Sequence, residues 1–106
     1  MARYLWKVSY TADGAKWLLE EGGSARRTTV QKLFKAMGGK LEAFYFALGE
    51  DDAYVIADVP DVTDVAAVNL AVASAGGARI RSVQLLTPAE MDEAAKKSVP
   101  YRAPGA

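Results

Sequence analysis

Cysteine and histidine are both missing from the 106 residues. Their absence removes thiol nucleophiles, disulfides, zinc sites of the Cys/His kind, His–Asp relays and His-ligated haem. Neither a cofactor nor a resident metal is expected. Any acid–base chemistry falls to Asp, Glu, Lys or Tyr, which need shifted pKa values or a reactive substrate to act near neutrality. An excess of one charge sign is also lacking, since thirteen Lys and Arg balance thirteen Asp and Glu. No overall positive field gathers phosphates, so nucleic acid is not an expected partner. No segment approaches the roughly 18 apolar residues of a membrane helix, and the stretch from Met1 to Lys7 has no long apolar run or cleavage site. The expectation is a soluble cytoplasmic protein with no membrane partner.

What is present has the patterning of a single α+β domain. A chain of this length buries about two-thirds of its unfolded surface, enough for one core. Arg3 to Tyr10 alternates, with Tyr4, Trp6, Val8 and Tyr10 on one face and Leu5, Lys7 and Ser9 on the other, which predicts a strand. Thr11 caps a short helix ending at Gly22-Gly23. Ser24 then caps a second, with Val30, Leu33, Phe34 and Met37 on its apolar face and Arg26, Arg27, Gln31, Lys32 and Lys35 on a solvated one. Residues 41–48 and 53–59 are apolar runs joined through Gly49-Glu50-Asp51-Asp52, which predicts a β-hairpin. A loop of two or four residues places Glu42, Phe44, Phe46 and Leu48 with Ala53, Val55, Ala57 and Val59 on one face. Ala43, Tyr45 and Ala47 then share the other with Tyr54, Ile56 and Asp58. A three-residue loop with a bulge inverts that assignment.

Pro60-Asp61 ends the strand, and a helix over residues 62–75 is apolar around most of its circumference, which predicts burial on more than one side. Arg79 to Leu86 forms the fourth strand. Thr87-Pro88-Ala89-Glu90 is a capping box opening a charged helix to about Lys97. Residues 1–97 thus make the domain, and 98–106, with Pro100, Pro104 and Gly105, an extended tail in which Tyr101 pins the tail to the body or to a neighbouring subunit. The order β-α-β-β-α-β with an extra C-terminal helix is the ferredoxin-like pattern around a four-stranded antiparallel sheet.

Tyr4 to Thr11, the Gly38-Gly39 break, the Phe44-Tyr45 strand, Gly49 to Asp52 leading to Pro60-Asp61, and Leu86-Thr87-Pro88 together resemble the GYD domain family. At the signature itself Gly49 and Asp52 match, and Asp51 stands where the family commonly has Tyr. The family is similar to the dimeric α+β barrel proteins, a group that includes cofactor-independent monooxygenases and lactone isomerases. The resemblance implies a fold rather than one activity. It implies a homodimer or larger assembly, with a pocket between sheet and helices or inside the barrel.

Helices cover only one face of such a sheet, so the other meets water, a partner or a ligand. On the expected register that face carries Lys7, Ser9, Tyr45, Tyr54, Ile56 and Asp58, with Leu5 and Gln84. Lys7, Tyr45, Tyr54 and Asp58 are the candidate ligand-binding residues. Asp58 beside Lys7 could act as a base or orient a substrate, and a buried interface salt bridge accounts for the same pair. Tyr45 and Tyr54 could hydrogen-bond an aromatic ligand, and strand packing accounts for them equally simply. Glu50, Asp51 and Asp52 match no calcium-loop spacing and read as turn residues. The glycine pairs follow helices, so they are caps rather than phosphate cradles. The expected function is an oligomeric domain that takes up a small hydrophobic or aromatic molecule between sheet faces. A monooxygenase or isomerase of the barrel type and an assembly protein are the alternatives.

Overall fold

Four antiparallel strands in the order β2-β3-β1-β4 form one sheet in the computed structural model, which describes residues 1–106. The strands are β1 (Ala2–Tyr10), β2 (Lys40–Phe46), β3 (Ala53–Val59) and β4 (Ala78–Leu85); the helices are α1 (Ala12–Glu21), α2 (Gly23–Ala36), α3 (Val62–Ala75) and α4 (Pro88–Lys96). This is the ferredoxin-like arrangement with an added C-terminal helix. Helix α3 ends at Gly76 in the left-handed conformation. Thr11 caps α1 by accepting the Gly14 N–H at 3.1 Å, and its own hydroxyl donates to Gly76 O at 2.8 Å. That ties α1 to the turn before β4. Gly22, at φ 87°, ends α1 and opens α2 directly. The expected cap at Ser24 is therefore displaced by two residues, because a glycine with positive φ reverses the chain without a side-chain cap.

The core lies on the helix side of the sheet. Tyr4, Trp6, Leu41, Val55, Ala57 and Val59 meet Phe34 of α2 and Val65 and Val68 of α3. Each fully buried aliphatic or aromatic side chain contributes about 1.5–3 kcal/mol. Trp6 packs at 5.1 Å from Phe34, centroid to centroid, and donates its indole N–H to Asn69 Oδ1 at 3.0 Å. Ser82 Oγ donates to the same oxygen at 3.0 Å, so one amide of α3 joins β1 and β4 under the helices.

The hairpin differs from its expected form. Phe46 pairs with Ala53, leaving residues 47–52 as a six-residue loop, and a bulge between Leu41 and Ala43 shifts the register. The shift relative to the expected pairing is two residues near the loop, so Phe44 still shares a face with Val55, and Tyr45 with Tyr54. The bulge puts Leu41, not Glu42, beside Ala57 in the core, and Leu48 falls in the loop, fully exposed. Glu42 instead reaches Arg3 on the far face at 3.1 Å.

Two further expectations are corrected. Gln84 pairs with Tyr4 and so takes the helix-side register, and Val83, opposite Leu5, occupies the open face in its place. Helix α3 buries Val65 and Val68 alone, while Val62 and Leu70 stay largely exposed. One helix on the outer half of a four-stranded sheet has only the sheet to pack on, so the rest of its apolar circumference is uncovered within one chain.

Candidate functional site

Two places gather the side chains able to hold a molecule, one on each face of the sheet. On the open face, strand alternation puts Lys7, Tyr54 and Tyr45 side by side, since Lys7 pairs with Tyr54 and Tyr54 with Tyr45. Asp58 shares that face but pairs with Arg3, four positions along β3 from Tyr54, which is roughly 13 Å at the rise of a strand. The Lys7–Asp58 pair expected from the sequence is therefore not formed. Arg3 Nε donates to Asp58 Oδ1 at 3.1 Å while its Nη2 meets Glu42 Oε1 at 3.1 Å. The hydrogen bond to Asp58, and then the charges of Asp58 and Glu42, raise the Arg3 pKa above its ordinary value. Asp58 is thus held by a guanidinium, at the border of the face rather than beside the tyrosines.

The acidic loop closes one end of this face. Asp51 is buried, accepting from Arg81 Nη2 at 3.0 Å on both carboxylate oxygens and from Ser9 Oγ at 3.2 Å. The neighbouring Asp52 accepts the Tyr10 N–H at 2.8 Å through Oδ2, donates its own N–H to Val8 O at 2.7 Å, and accepts the Ala47 N–H at 2.8 Å. Two consecutive carboxylates therefore fasten the β2–β3 loop across the ends of β1 and β4.

The other place is a cavity of about 210 Å³ on the helix side, between the sheet and helices α1, α2 and α3. Fifteen of its nineteen lining residues are hydrophobic, so the space favours an apolar body over water. Its floor is Trp6, Val8, Phe44, Val55 and Ile80; its sides come from Trp17 and Leu18 of α1, Val30, Leu33 and Phe34 of α2, and Val68 and Val72 of α3. Tyr10, Glu21 and Arg26 add the polar groups. Both tryptophans of the chain are on its wall.

Local structure explains why the space exists. Gly14 and Gly77 approach so closely that a Cβ on Gly14 would lie 1.7 Å from Gly77 O, and a Cβ on Gly77 would meet the Trp17 ring at 2.7 Å. The two glycines clamp α1 to the start of β4 at one end, and the helix direction set there holds Trp17 against the turn. Beyond Gly22, α2 turns away, and its Arg26 pairs with Glu21 across the junction at 3.6 Å. Tyr10 stands half buried at the same end. Desolvation raises its pKa above the ordinary phenol value; the Arg26 charge opposes this and the Asp52 and Glu21 charges add to it. A neutral phenol is thus available to a molecule in the cavity, the Trp6 indole N–H being held by Asn69.

Sequence reasoning placed Arg26 on the solvated side of α2 and did not single out Tyr10 or Glu21. Tyr10 did carry a signal, being the last residue of the apolar face of β1. Arg26 carried one as well: it stands four, seven and eight residues before Val30, Leu33 and Phe34, the spacing of one helix face, so periodicity places it on the cavity side. No curated protein and no solved structure matches the chain. The family model for the GYD domain matches residues 4–95, from the first buried tyrosine of β1 through most of α4. The chain belongs to the GYD domain family.

Proposed function

We propose that this chain is a homodimeric binding domain for a small hydrophobic or aromatic molecule, held in the cavity beneath the helices. The observation that carries the reading is the cavity itself. Apolar spaces of about 150 Å³ stay dry and take up benzene, so about 210 Å³ suits a single aromatic ring with a few substituent atoms. Edge and face contacts come from Trp6, Trp17, Phe34 and Phe44, and Tyr10 and the Glu21–Arg26 pair give one polar end against which a ring substituent is oriented. The site therefore differs from the one expected between two sheet faces. In this reading the open face is the dimer contact, with Lys7, Tyr45 and Tyr54 between the copies and Asp58 at the border.

Intrinsic fluorescence tests the ligand, because both tryptophans line the cavity. Titration with 4-nitrophenol is expected to quench emission along a saturable curve. In Val72→Phe, where a ring fills the space from α3, saturable quenching is lost while the fold by circular dichroism is kept. Linear, unsaturable quenching of equal slope in both proteins would overturn the reading.

A further inference from the structure

The cavity beneath the helices has its polar groups at one end, and they are unequal as donors and acceptors. Among the lining residues Glu21 and Arg26 alone are charged, and they flank the Gly22 that separates α1 from α2. The Glu21 carboxylate is engaged at both oxygens, though at long range. Its Oε2 lies 3.6 Å from Arg26 Nη1, and its Oε1 accepts the Thr29 hydroxyl at 3.5 Å. A hydrogen bond from a guanidinium to a carboxylate is about 2.7–2.9 Å long, so Arg26 and Glu21 attract one another without one. Their side chains are 35 % and 29 % exposed, and an ion pair of that kind holds its partners only weakly. Arg26 therefore presents a planar fork of N–H groups whose one ionic partner stands beyond hydrogen-bond length.

Tyr10 adds a second donor. Asp52 takes its backbone N–H at 2.8 Å, which leaves the hydroxyl to other partners. Burial keeps the phenol protonated at neutral pH, and of the charges acting on it Arg26 has a larger effect than Asp52 or Glu21 taken singly. The guanidinium and the phenol thus act on the same end of the cavity. The Trp6 indole N–H is already bonded to Asn69. That end offers donors and calls for an acceptor. A carboxylate fits it best, because two coplanar oxygens match the guanidinium fork bidentately and one negative charge takes the place of Glu21 on Arg26. A phosphate dianion would set two charges against a single cation, with Glu21 and Asp52 close by. An amine would find its one charged acceptor already paired with Arg26.

We propose that the molecule held in the cavity is a small aromatic carboxylic acid, its ring among Trp6, Trp17, Phe34 and Phe44 and its carboxylate on the Arg26 guanidinium, with the Tyr10 hydroxyl as second donor. The inference rests on the binding reading given above and adds to it the class of ligand. Glu21 is then a competitor for Arg26. It occupies the guanidinium loosely until a carboxylate of better geometry enters, and its own charge then turns to water at the mouth, where it is already partly exposed.

4-Nitrobenzoate and its neutral isostere 4-nitrobenzamide separate the class of ligand from binding itself, since both quench tryptophan and one alone is charged at neutral pH. In the full-length chain both are expected to quench saturably, the benzoate binding about tenfold tighter or more, the gain of a charge-assisted pair over a neutral hydrogen bond. Arg26→Gln is expected to bring the benzoate down to the affinity of the amide. Glu21→Gln, which removes the competing carboxylate, is expected to tighten the benzoate several-fold, and Tyr10→Phe to weaken it. Equal affinities in the parent, or a preference for the benzoate that survives Arg26→Gln, overturn the carboxylic acid and leave the apolar binding site standing. A weaker benzoate in Glu21→Gln overturns the competition for Arg26. No saturable quenching by either probe overturns the ligand class and the binding reading together.

Discussion

Tyr10 holds a phenol in partly dry surroundings with Arg26, Asp52 and Glu21 near enough to act on its charge, and burial dominates. Its pKa is raised on folding, so its contribution to stability is fully present below the ordinary phenol pKa and is lost as pH rises through the higher folded value. Denaturant midpoints should therefore fall with pH from about 10 upward, and by less in Tyr10→Phe than in the parent. Gly14 acts through space alone. Gly14→Ala drives a methyl into the Gly77 carbonyl, backbone against backbone, and should cost about 3 kcal/mol, the upper end for overpacking, read as a lower urea midpoint. Asp51 is buried in the β2–β3 loop, and its carboxylate joins the loop to Ser9 and Arg81. Asp51→Ala should cost about 1–2 kcal/mol, near the low end for an orphaned partner, because the Arg81 side chain is 64 % exposed and can turn to water.

Elements whose signal is local were legible in the sequence, and those set by neighbours were not. Alternation along β1, the Thr87–Glu90 capping box and the bounds of α3 all follow from residues adjacent in the chain, and each is where the pattern predicts. The β2 bulge is different. Nothing near Glu42 announces it; it appears because Leu41 is the better core residue beside Ala57 and Glu42 the better partner for Arg3. The six-residue loop likewise depends on Asp51 and Asp52 finding β1 and β4, contacts that span about forty positions for Ser9 and Tyr10. The open-face candidates were legible as a face but not as a site, since alternation gives the side of a side chain and not its distance from Asp58. A pocket between sheet and helices was one of the two places the resemblance implied, but its lining as a whole was not legible from periodicity, because it lies between three helices whose relative tilt is set at Gly14, Gly22 and Gly77. The α4 element carries its own test. Hydrogen bonds from Thr87 hold the Glu90 pKa below the usual glutamate value, so its stabilising contribution is present above the ordinary pKa and lost as pH falls through the lowered one. Acidification should fray α4 before the sheet melts, seen as loss of amide protection confined to residues 88–96.

For the molecule as a whole, the proposed homodimer rests on the open sheet face. Leu5, Ile56, Tyr45, Tyr54 and Val83 share that face, Tyr45 at 71 % and Val83 at 41 % exposure, with Lys7, Arg79 and Arg81 among them. A stable pair of proteins covers about 800 Å² on each partner, close to a tenth of this chain's 7520 Å². One sheet face of four strands offers an area of that order, and burying its apolar part stabilises an interface by about 25 cal/mol per Å² before the entropy of association is subtracted. Val83 makes a sensitive probe, being on the open face yet away from the cavity and the Asp51 loop. Val83→Lys should leave the unfolding free energy of the monomer within about 0.5 kcal/mol, as for an ordinary surface change. In a face-to-face dimer two lysines enter one interface, and the dissociation constant from sedimentation equilibrium should rise about tenfold or more, equivalent to at least about 1.4 kcal/mol. An unchanged dimer constant would move the interface off the sheet face and leave α3 and the β4 edge as its remaining ground.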